Sequence, residues 1–286
     1  MRVFQAMKVF QWIGFMLLGI GALNALEINR VVLATNQNPN YVQFWPVVAP
    51  IWKKMGFQPT LALIADDYGD VDTSLGDVLL FPVLSDVPES LQAQAIRLLV
   101  PVLYPDEGCL IADIDMLPIS SDYLRSGAVD CSDGAFLVYR DNAYWNEAMY
   151  RWPMCYVAAK GAVFQEIFGI HQVDDIADLL RYWNAQGHGW NTDERMMYAY
   201  VMAWEFMGGR VVRLGHGVPG RLDRGNWTGD YRTLDLTGYI DCHCPRPYAM
   251  YKESIDQVVD AIYRLHGWSK EVMVLSTASP KLDSSG

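Results

Sequence analysis

Basic residues are scarce in this 286-residue sequence. Lysine and arginine total 22 against 33 aspartate and glutamate residues, which gives a formal net charge of −11 at pH 7. No run of basic residues could follow a nucleic-acid backbone, so we do not expect nucleic acid as a partner. An acidic protein that handles a phosphorylated ligand still needs local positive charge, and a bound divalent cation can supply it.

Cysteine is also sparse. The five cysteines are irregularly spaced and odd in number, which excludes a disulfide scaffold. The Cys242-His243-Cys244 cluster has no second Cys/His pair at zinc-finger spacing, and this argues against structural zinc. By contrast, 51% of the residues are hydrophobic, enough for a substantial core, and the 10 tryptophans and 16 tyrosines include candidates for stacking on sugar rings.

The two ends of the chain differ from the rest. Arg2 and Lys8 precede an apolar run over residues 12–23, so residues 1–26 are predicted to be a signal peptide or signal anchor. Counted over residues 9–26, the run almost reaches the length of a membrane span. We therefore expect a membrane-associated or secretory-pathway protein, with a cytoplasmic protein as the alternative. Residues 271–286 are small and polar and are predicted to be a disordered tail.

Strand and helix patterns alternate between these ends and predict one α/β domain over residues 27–270, with a mostly parallel sheet. Buried strands are predicted over residues 28–35, 59–65, 77–83 and 108–113, and weaker strands over residues 134–139, 155–159 and 210–214. Helices are predicted over residues 41–55, 88–102, 161–168, 173–186, 192–206 and 253–266.

The most informative motif is Asp113-Ile114-Asp115, where a hydrophobic strand ends in two carboxylates. Ligands of open α/β sheets bind at the carboxyl ends of the strands. Two neighbouring carboxylates repel each other unless a cation lies between them, and Mg²⁺ or Mn²⁺ completed by diphosphate oxygens would remove that repulsion. A second D-x-D, Asp70-Val-Asp72, lies in a polar stretch and is interpreted as a solvated loop.

A D-x-D that closes an apolar strand after a βαβ start resembles the signature of GT-A-fold glycosyltransferases. The stretches over residues 38–46 (NPNYVQFWP) and 92–97 (QAQAIR) are similar to viral and bacterial members, with chlorovirus glycosyltransferase domains the nearest. The resemblance covers roughly residues 28–245. It implies a GT-A-like mixed, mostly parallel sheet flanked by helices, and sugar transfer from a UDP- or GDP-linked donor to a glycan or other hydroxyl acceptor with Mn²⁺ or Mg²⁺.

The resemblance also assigns residues to the donor site. These are Thr35, Asn36 and Tyr41 for the base and ribose, Asp66 for the same part of the nucleotide, Arg97 for the donor sugar or phosphate, and Asp113 and Asp115 for the metal. The residues assigned to the nucleotide also have structural explanations, which are turn capping for Asn36 and Asp66 and core packing for Tyr41. The alternative for the arginine is a surface salt bridge.

Acceptor and third-ligand residues come from the last third of the chain. Asp193 is the candidate catalytic base and Glu194 the reserve, because the resemblance places a carboxylate near the acceptor at this helix start; helix capping would explain both residues equally well. The third metal ligand is His243 or His216, with His243 favoured because Asp241, two residues earlier, could orient or share the ion.

Two other classes of protein fit part of this pattern. A nucleotidyltransferase could use the same acidic pair, but residues 35–41 contain no glycine, lysine or arginine for the expected phosphate-binding loop. A non-catalytic carbohydrate-binding protein could bind sugar through its aromatic residues and a structural Ca²⁺ through Asp113 and Asp115. Nucleotide binding separates the transferase from this second class.

Overall fold

The computed structural model describes residues 24–144, 150–217, 220–227 and 229–269. The predicted tail and all but the last three residues of the predicted signal or anchor lie outside these ranges. Within them, no helix has both the length and the apolar character needed to cross a membrane.

The described residues form strands that belong to two sheets. The strands are β1 (Ile28–Asn36), β2 (Gln58–Ile64), β3 (Asp77–Phe81), β4 (Gly108–Ile111), β5 (Met116–Pro118), β6 (Ala135–Val138), β7 (Val157–Lys160), β8 (Arg210–Arg213), β9 (Arg221–Leu222) and β10 (Asp241–His243). The α-helices are α1 (Pro39–Val42), α2 (Trp45–Lys54), α3 (Glu89–Leu99), α4 (Ser121–Val129), α5 (Gly161–Phe168), α6 (Asp174–Ala185), α7 (Thr192–Phe206) and α8 (Tyr248–Leu265).

The larger sheet has the strand order β3-β2-β1-β4-β7-β6-β8. Strand β1 pairs in parallel with β2 and β4, and β2 with β3, whereas β7 runs antiparallel to both β4 and β6. The predicted mixed, mostly parallel sheet flanked by helices is therefore confirmed. The chain builds outward from β1 to β3 and then returns to place β4 on the other side of β1. This reversal opens a crevice at the carboxyl ends of β1 and β4.

Helices cover both faces of this sheet, which explains why its central strands are continuously apolar. Side chains of β1 alternate between the two cores. Val31 and Leu33 pack with α2 and α8 on one face, whereas Val32 and Ala34 pack with α3, α5, α6 and α7 on the other. The sheet is thereby held rigidly behind the crevice.

The smaller sheet has the order β5-β10-β9. Strand β10 pairs antiparallel with β5, where His243 lies opposite Met116, and parallel with β9, where Asp241 lies opposite Arg221. Only residues 112–115 separate β4 of the large sheet from β5 of the small one. The D-x-D motif is therefore the connection between the two sheets.

Several elements differ from the prediction. The single helix predicted over residues 41–55 is two helices, because Pro46 cannot donate a backbone hydrogen bond and lies in the first turn of α2. Strands β5, β9 and β10 are three residues or shorter and are absent from the prediction, as is helix α4. Helix α8 begins at Tyr248, five residues before the predicted start.

Candidate active site

Nine of the ten residues predicted for the site line one cavity at the carboxyl ends of β1 and β4. The cavity has a volume of about 550 Å³, within the range that accommodates a ligand of nucleotide size. The predicted residues that line it are Thr35, Asn36, Tyr41, Arg97, Asp113, Asp115, Asp193, Glu194 and His243. The tenth, Asp66, is exposed and is not among the lining residues.

The two carboxylates of the D-x-D motif meet a histidine in this cavity. One ligand atom from each of Asp113, Asp115 and His243 lies within 4.8 Å of the others. His243 Nδ1 lies 3.0 Å from Asp223 Oδ1. That contact favours a proton on Nδ1 and leaves Nε2, 3.8 Å from Asp115 Oδ2, as the acceptor of the ring; Arg224 contacts Nε2 here, and a cation bound there would replace that contact. Two carboxylates and an imidazole suit Mn²⁺ or Mg²⁺ in charge and chemistry.

Burial acts to raise the pKa of both carboxylates of the motif, but their different neighbours leave the two pKa values shifted in opposite directions. For Asp113, the nearby Arg97 guanidinium outweighs burial and holds the pKa below its usual range. For Asp115, burial raises the pKa, and the charge of Asp113 adds to the increase, while His243 and Arg224 oppose it. A divalent cation between these carboxylates would offset both the cost of burying their charge and their mutual repulsion.

Four arginines that the sequence reasoning missed line the same cavity: Arg151 and, after residue 220, Arg221, Arg224 and Arg246. Two of them contact the D-x-D motif, since Arg224 Nη2 lies 3.0 Å and Arg246 Nε 3.3 Å from Asp115 Oδ2. Arg224 also contacts His243 Nε2. For the three that follow residue 220, the sequence shows only that these arginines occur close together in a chain with few basic residues. The fold, through β9 and β10, brings them to the crevice.

Arg97 lies at the centre of the acidic wall. It is 8% exposed and donates to Asp113 and, over 3.1 Å, to Asp193 Oδ2. Its Nε donates to the Gln94 carbonyl. The alternative of a surface salt bridge is therefore wrong, because this guanidinium is buried between two carboxylates of the cavity.

Asp193 and Glu194 differ in what they can do. Asp193 is 3% exposed, pairs with Arg97 and accepts the Glu194 backbone N–H at 2.9 Å. Glu194 is more open and accepts from Tyr144 Oη at 2.9 Å. Burial and the Asp193 charge raise the pKa of Glu194 to about 7. A general base works best with a pKa near the working pH, so Glu194 fits the role better than Asp193.

The end of the cavity at which the nucleotide is predicted to bind is formed after β1. Thr35 is buried, Asn36 donates to Glu89 at 2.9 Å, and the Tyr41 ring lies 4.6 Å from the Arg246 guanidinium. Asn36 also accepts the Asn38 backbone N–H at 3.3 Å, so it caps the turn as well as lining the cavity.

The other two residues considered for the third metal ligand, His216 and Asp241, lie apart from the Asp113, Asp115 and His243 group. His216 is hydrogen-bonded through Nδ1 to the Tyr123 hydroxyl at 2.9 Å and does not line the cavity. Asp241 does not share the ion with His243, because it is fully buried and its carboxylate is paired with Arg140 and Arg221. The structure thus groups His243, and not His216, with the D-x-D motif.

No protein-family model matches the sequence, and no curated protein matches it. Among solved structures, the chain is similar to the galactosyltransferase LgtC in complex with donor and acceptor sugar analogs, with a TM-score of 0.47 and 12% identity over 83% of this chain and 95% of that chain. It is also similar to a glycosyltransferase involved in the glycosylation of the major capsid of PBCV-1, with a TM-score of 0.42 and 9% identity over 79% of this chain and 98% of that chain.

Proposed function

We propose that the protein is a metal-dependent glycosyltransferase that moves a sugar from a nucleoside diphosphate, UDP or GDP, to a hydroxyl acceptor. One observation carries this proposal: Asp113, Asp115 and His243 meet in a single cavity whose wall also holds five arginines. A diphosphate has two needs that this arrangement meets, a hard cation and hydrogen-bond donors of positive charge.

Asp113, Asp115 and His243 would hold Mn²⁺ or Mg²⁺, which supplies positive charge to the departing nucleoside diphosphate. The protein's own residues continue this neutralisation. Arg224 and Arg246 lie beside Asp115, so their guanidinium groups are within reach of phosphates held at the same place. Charge stabilisation of this kind is often the largest single contribution to catalysis.

The base and ribose would occupy the end of the cavity formed after β1. Tyr41 offers an aromatic face there, and Thr35 and Asn36 bring polar groups. The buried Arg97 and its partner Asp193 lie between this end and the start of α7. We assign Arg97 to orienting the acidic wall beside the donor sugar, because its guanidinium already donates to two carboxylates.

Glu194 would remove the proton from the acceptor hydroxyl. The carboxylate is held by Tyr144 and by Arg151, whose Nη1 lies 3.4 Å from Oε2. Trp190, 62% exposed and only four residues before Glu194, lines the same part of the cavity. An exposed indole beside a candidate base would stack on the ring of an acceptor sugar.

The test is calorimetric titration of UDP and of GDP into the full chain, with and without Mn²⁺. We expect binding of one nucleotide that depends on the metal and is lost in the Asp113→Ala, Asp115→Ala double variant. The chain supplies a matched control, because Asp70 and Asp72 form a second D-x-D in an exposed loop. The Asp70→Ala, Asp72→Ala variant should bind like the wild type.

Two results would count against this function. If folded wild-type protein binds neither nucleotide, it is not a UDP- or GDP-sugar transferase, and Ca²⁺-dependent sugar binding becomes the better explanation. If the nucleotide binds equally well without metal and in the Asp113 and Asp115 variant, the metal-dependent mechanism is wrong although a nucleotide site exists.

A further inference from the structure

A fully buried carboxylate lies directly behind the arginine wall of the cavity. Asp241, at the start of β10, is 0% exposed and accepts hydrogen bonds from two arginines. Arg140 donates from Nη2 to Oδ2 at 2.9 Å. Arg221 donates from Nε to Oδ1 at 2.8 Å and from Nη2 to Oδ2 at 3.0 Å. Arg140 is 1% exposed, whereas Arg221 lines the cavity, so this cluster connects the interior to the cavity wall.

The cluster carries an excess positive charge, since two guanidinium groups face one carboxylate. The nearest further carboxylates, Asp223 beside Arg221 and Asp113 beside Cys155, are paired with His243 and Arg97, and the other titratable groups around the cluster do not supply the missing negative charge. Burial raises the pKa of the Cys155 thiol to about 12 and the pKa values of Tyr123 and Tyr156 above their usual range. Burial and the nearby Arg140 charge lower the pKa of His216. At neutral pH all four groups are uncharged, and the cluster keeps a net charge of about one.

Beyond Asp241, the Arg140 guanidinium interacts with the Tyr123 hydroxyl, a neutral group that offsets little of its charge. Its Nε and Nη1 are buried and have no hydrogen-bond partner in the described part of the chain. Its guanidinium carbon lies 5.9 Å from the centre of the Tyr156 ring, a weak contact. A buried cation with unpaired N–H groups is costly unless an anion is close by. Arg221 reaches the cavity wall, and an anion that binds there would offset the excess positive charge of the cluster.

Arg221 is held in a fixed orientation. Residues Arg221 and Asp241 are opposite each other in the parallel pairing of β9 with β10, and two of the three guanidinium nitrogens are bonded to the carboxylate. The third nitrogen, Nη1, makes no hydrogen bond to any residue that the structure describes. Arg224 and Arg246, by contrast, both contact Asp115. A donor that is already oriented loses little freedom when it binds a ligand.

We propose that Arg221 is the pre-oriented anion contact of the cavity, and that Asp241 and Arg140 are its positioning residues. Asp241 fixes the plane of the guanidinium, and Arg140 offsets the carboxylate so that Arg221 keeps its positive charge toward the ligand. The identity of the anion rests on the proposed function, under which it is the diphosphate of the donor. A buried ion cluster that served only to join β6, β9 and β10 would not affect anion binding.

The experiment compares the full-length wild type with Arg221→Met, Arg140→Met and the double variant. Arg140→Met leaves the Asp241–Arg221 pair balanced, so no buried charge is left without a partner. Arg140→Lys keeps the charge at this position. The matched control is Arg213→Met, which removes an arginine from an exposed ion pair with Glu205. Pyrophosphate, uridine and guanosine are titrated separately into each protein in Mg²⁺ buffer, and thermal unfolding confirms that each variant is folded.

We expect Arg221→Met to weaken pyrophosphate binding by about tenfold or more, as when a hydrogen bond between charged groups is removed. Arg140→Met should weaken it several-fold, Arg140→Lys should retain most of the affinity, and Arg213→Met should have no effect. Nucleoside binding should not change in any variant. In the Arg221→Met background, Arg140→Met should have no further effect, because Arg140 acts through Arg221.

Unchanged pyrophosphate affinity in Arg221→Met or Arg140→Met would overturn the inference, as would equal effects of Arg140→Met with and without Arg221. Equal losses of pyrophosphate and nucleoside binding would indicate a structural role only. The two proposals fail separately. If the protein binds pyrophosphate but neither UDP nor GDP, the proposed function is wrong and Arg221 remains an anion contact. If it binds UDP or GDP with the same affinity in the Arg221 variants, the proposed function stands and the role of Arg221 is wrong. If the wild type binds none of these ligands, both are wrong.

Discussion

Replacing Glu194 by glutamine should increase the free energy of unfolding. The increase should appear only at pH values above the mildly acidic range. Burial raises the pKa of Glu194 from its usual 4.5 to about 7, with repulsion from Asp193 as a further cause. Since one pH unit corresponds to about 1.4 kcal/mol, the ionised carboxylate destabilises the folded protein by about 3 kcal/mol. The folded state binds the proton more tightly than the unfolded state, so this contribution favours folding below about pH 4.5 and is lost as pH rises through 7.

The assay is urea unfolding of the wild type and Glu194→Gln at several values between pH 4.5 and 8. The two free energies of unfolding should coincide at the acidic end and differ by up to about 3 kcal/mol at pH 8, with the variant the more stable. Glu205→Gln is the control, because Arg213 lowers the pKa of Glu205 and this variant should gain no stability at high pH. A difference for Glu194→Gln that does not change with pH would refute the reasoning.

The same variant tests catalysis, since a general base contributes about 10²- to 10⁴-fold to a rate. We expect Glu194→Gln to lose at least about a hundredfold in kcat while nucleotide affinity stays unchanged. In the wild type, kcat should rise as pH increases through about 7, where Glu194 loses its proton. A rate that keeps this pH dependence in the glutamine variant would assign the base to another group.

Three further outcomes follow from the contacts described. Arg97→Met should cost about 3–5 kcal/mol in urea unfolding at pH 7, because Asp113 and Asp193 would both lose their buried cation; a loss below about 1 kcal/mol would show that the pairs are unimportant. Trp190→Ala should change stability by less than about 0.5 kcal/mol, since the indole is exposed, but should raise the KM for the acceptor several-fold with unchanged nucleotide affinity. Gly108→Ala should destabilise the protein by about 3 kcal/mol in the same unfolding assay, because its methyl group would collide with the Glu27 carbonyl; wild-type stability would contradict that contact.

The large sheet could be predicted because its central strands lie in mostly apolar runs. β1, β2 and β4 lie in the sheet interior, and burial on both faces leaves an unmistakable pattern in the sequence. The D-x-D motif was found for the same reason, since it directly follows such a strand. Strands of two or three residues, such as β9 and β10, leave no period to detect, so the small sheet could not be predicted.

The arginines of the cavity other than Arg97 were not predicted because they are held there by charge pairs between residues far apart in the sequence. Arg221 and Asp241 are 20 residues apart in the sequence, and Arg140 is 101 residues from Asp241. No local pattern relates the three, and an arginine that is fully buried looks no different in sequence from one on the surface. The prediction that Asp193 rather than Glu194 is the base rested on the family resemblance, and what favours Glu194 is burial and the pairing of Asp193 with Arg97, neither of which neighbouring residues specify.

The position of the D-x-D motif between two sheets has a consequence for biosynthesis. Strand β4, which leads into Asp113 and Asp115, comes from the first half of the chain, but His243 lies much later, on β10. During translation, a nascent chain thus contains β1 to β4 well before it contains all three side chains of the Asp113, Asp115 and His243 group. Late completion of the small sheet makes assembly of this group one of the last steps of folding, and a chain that ends before β10 would lack it.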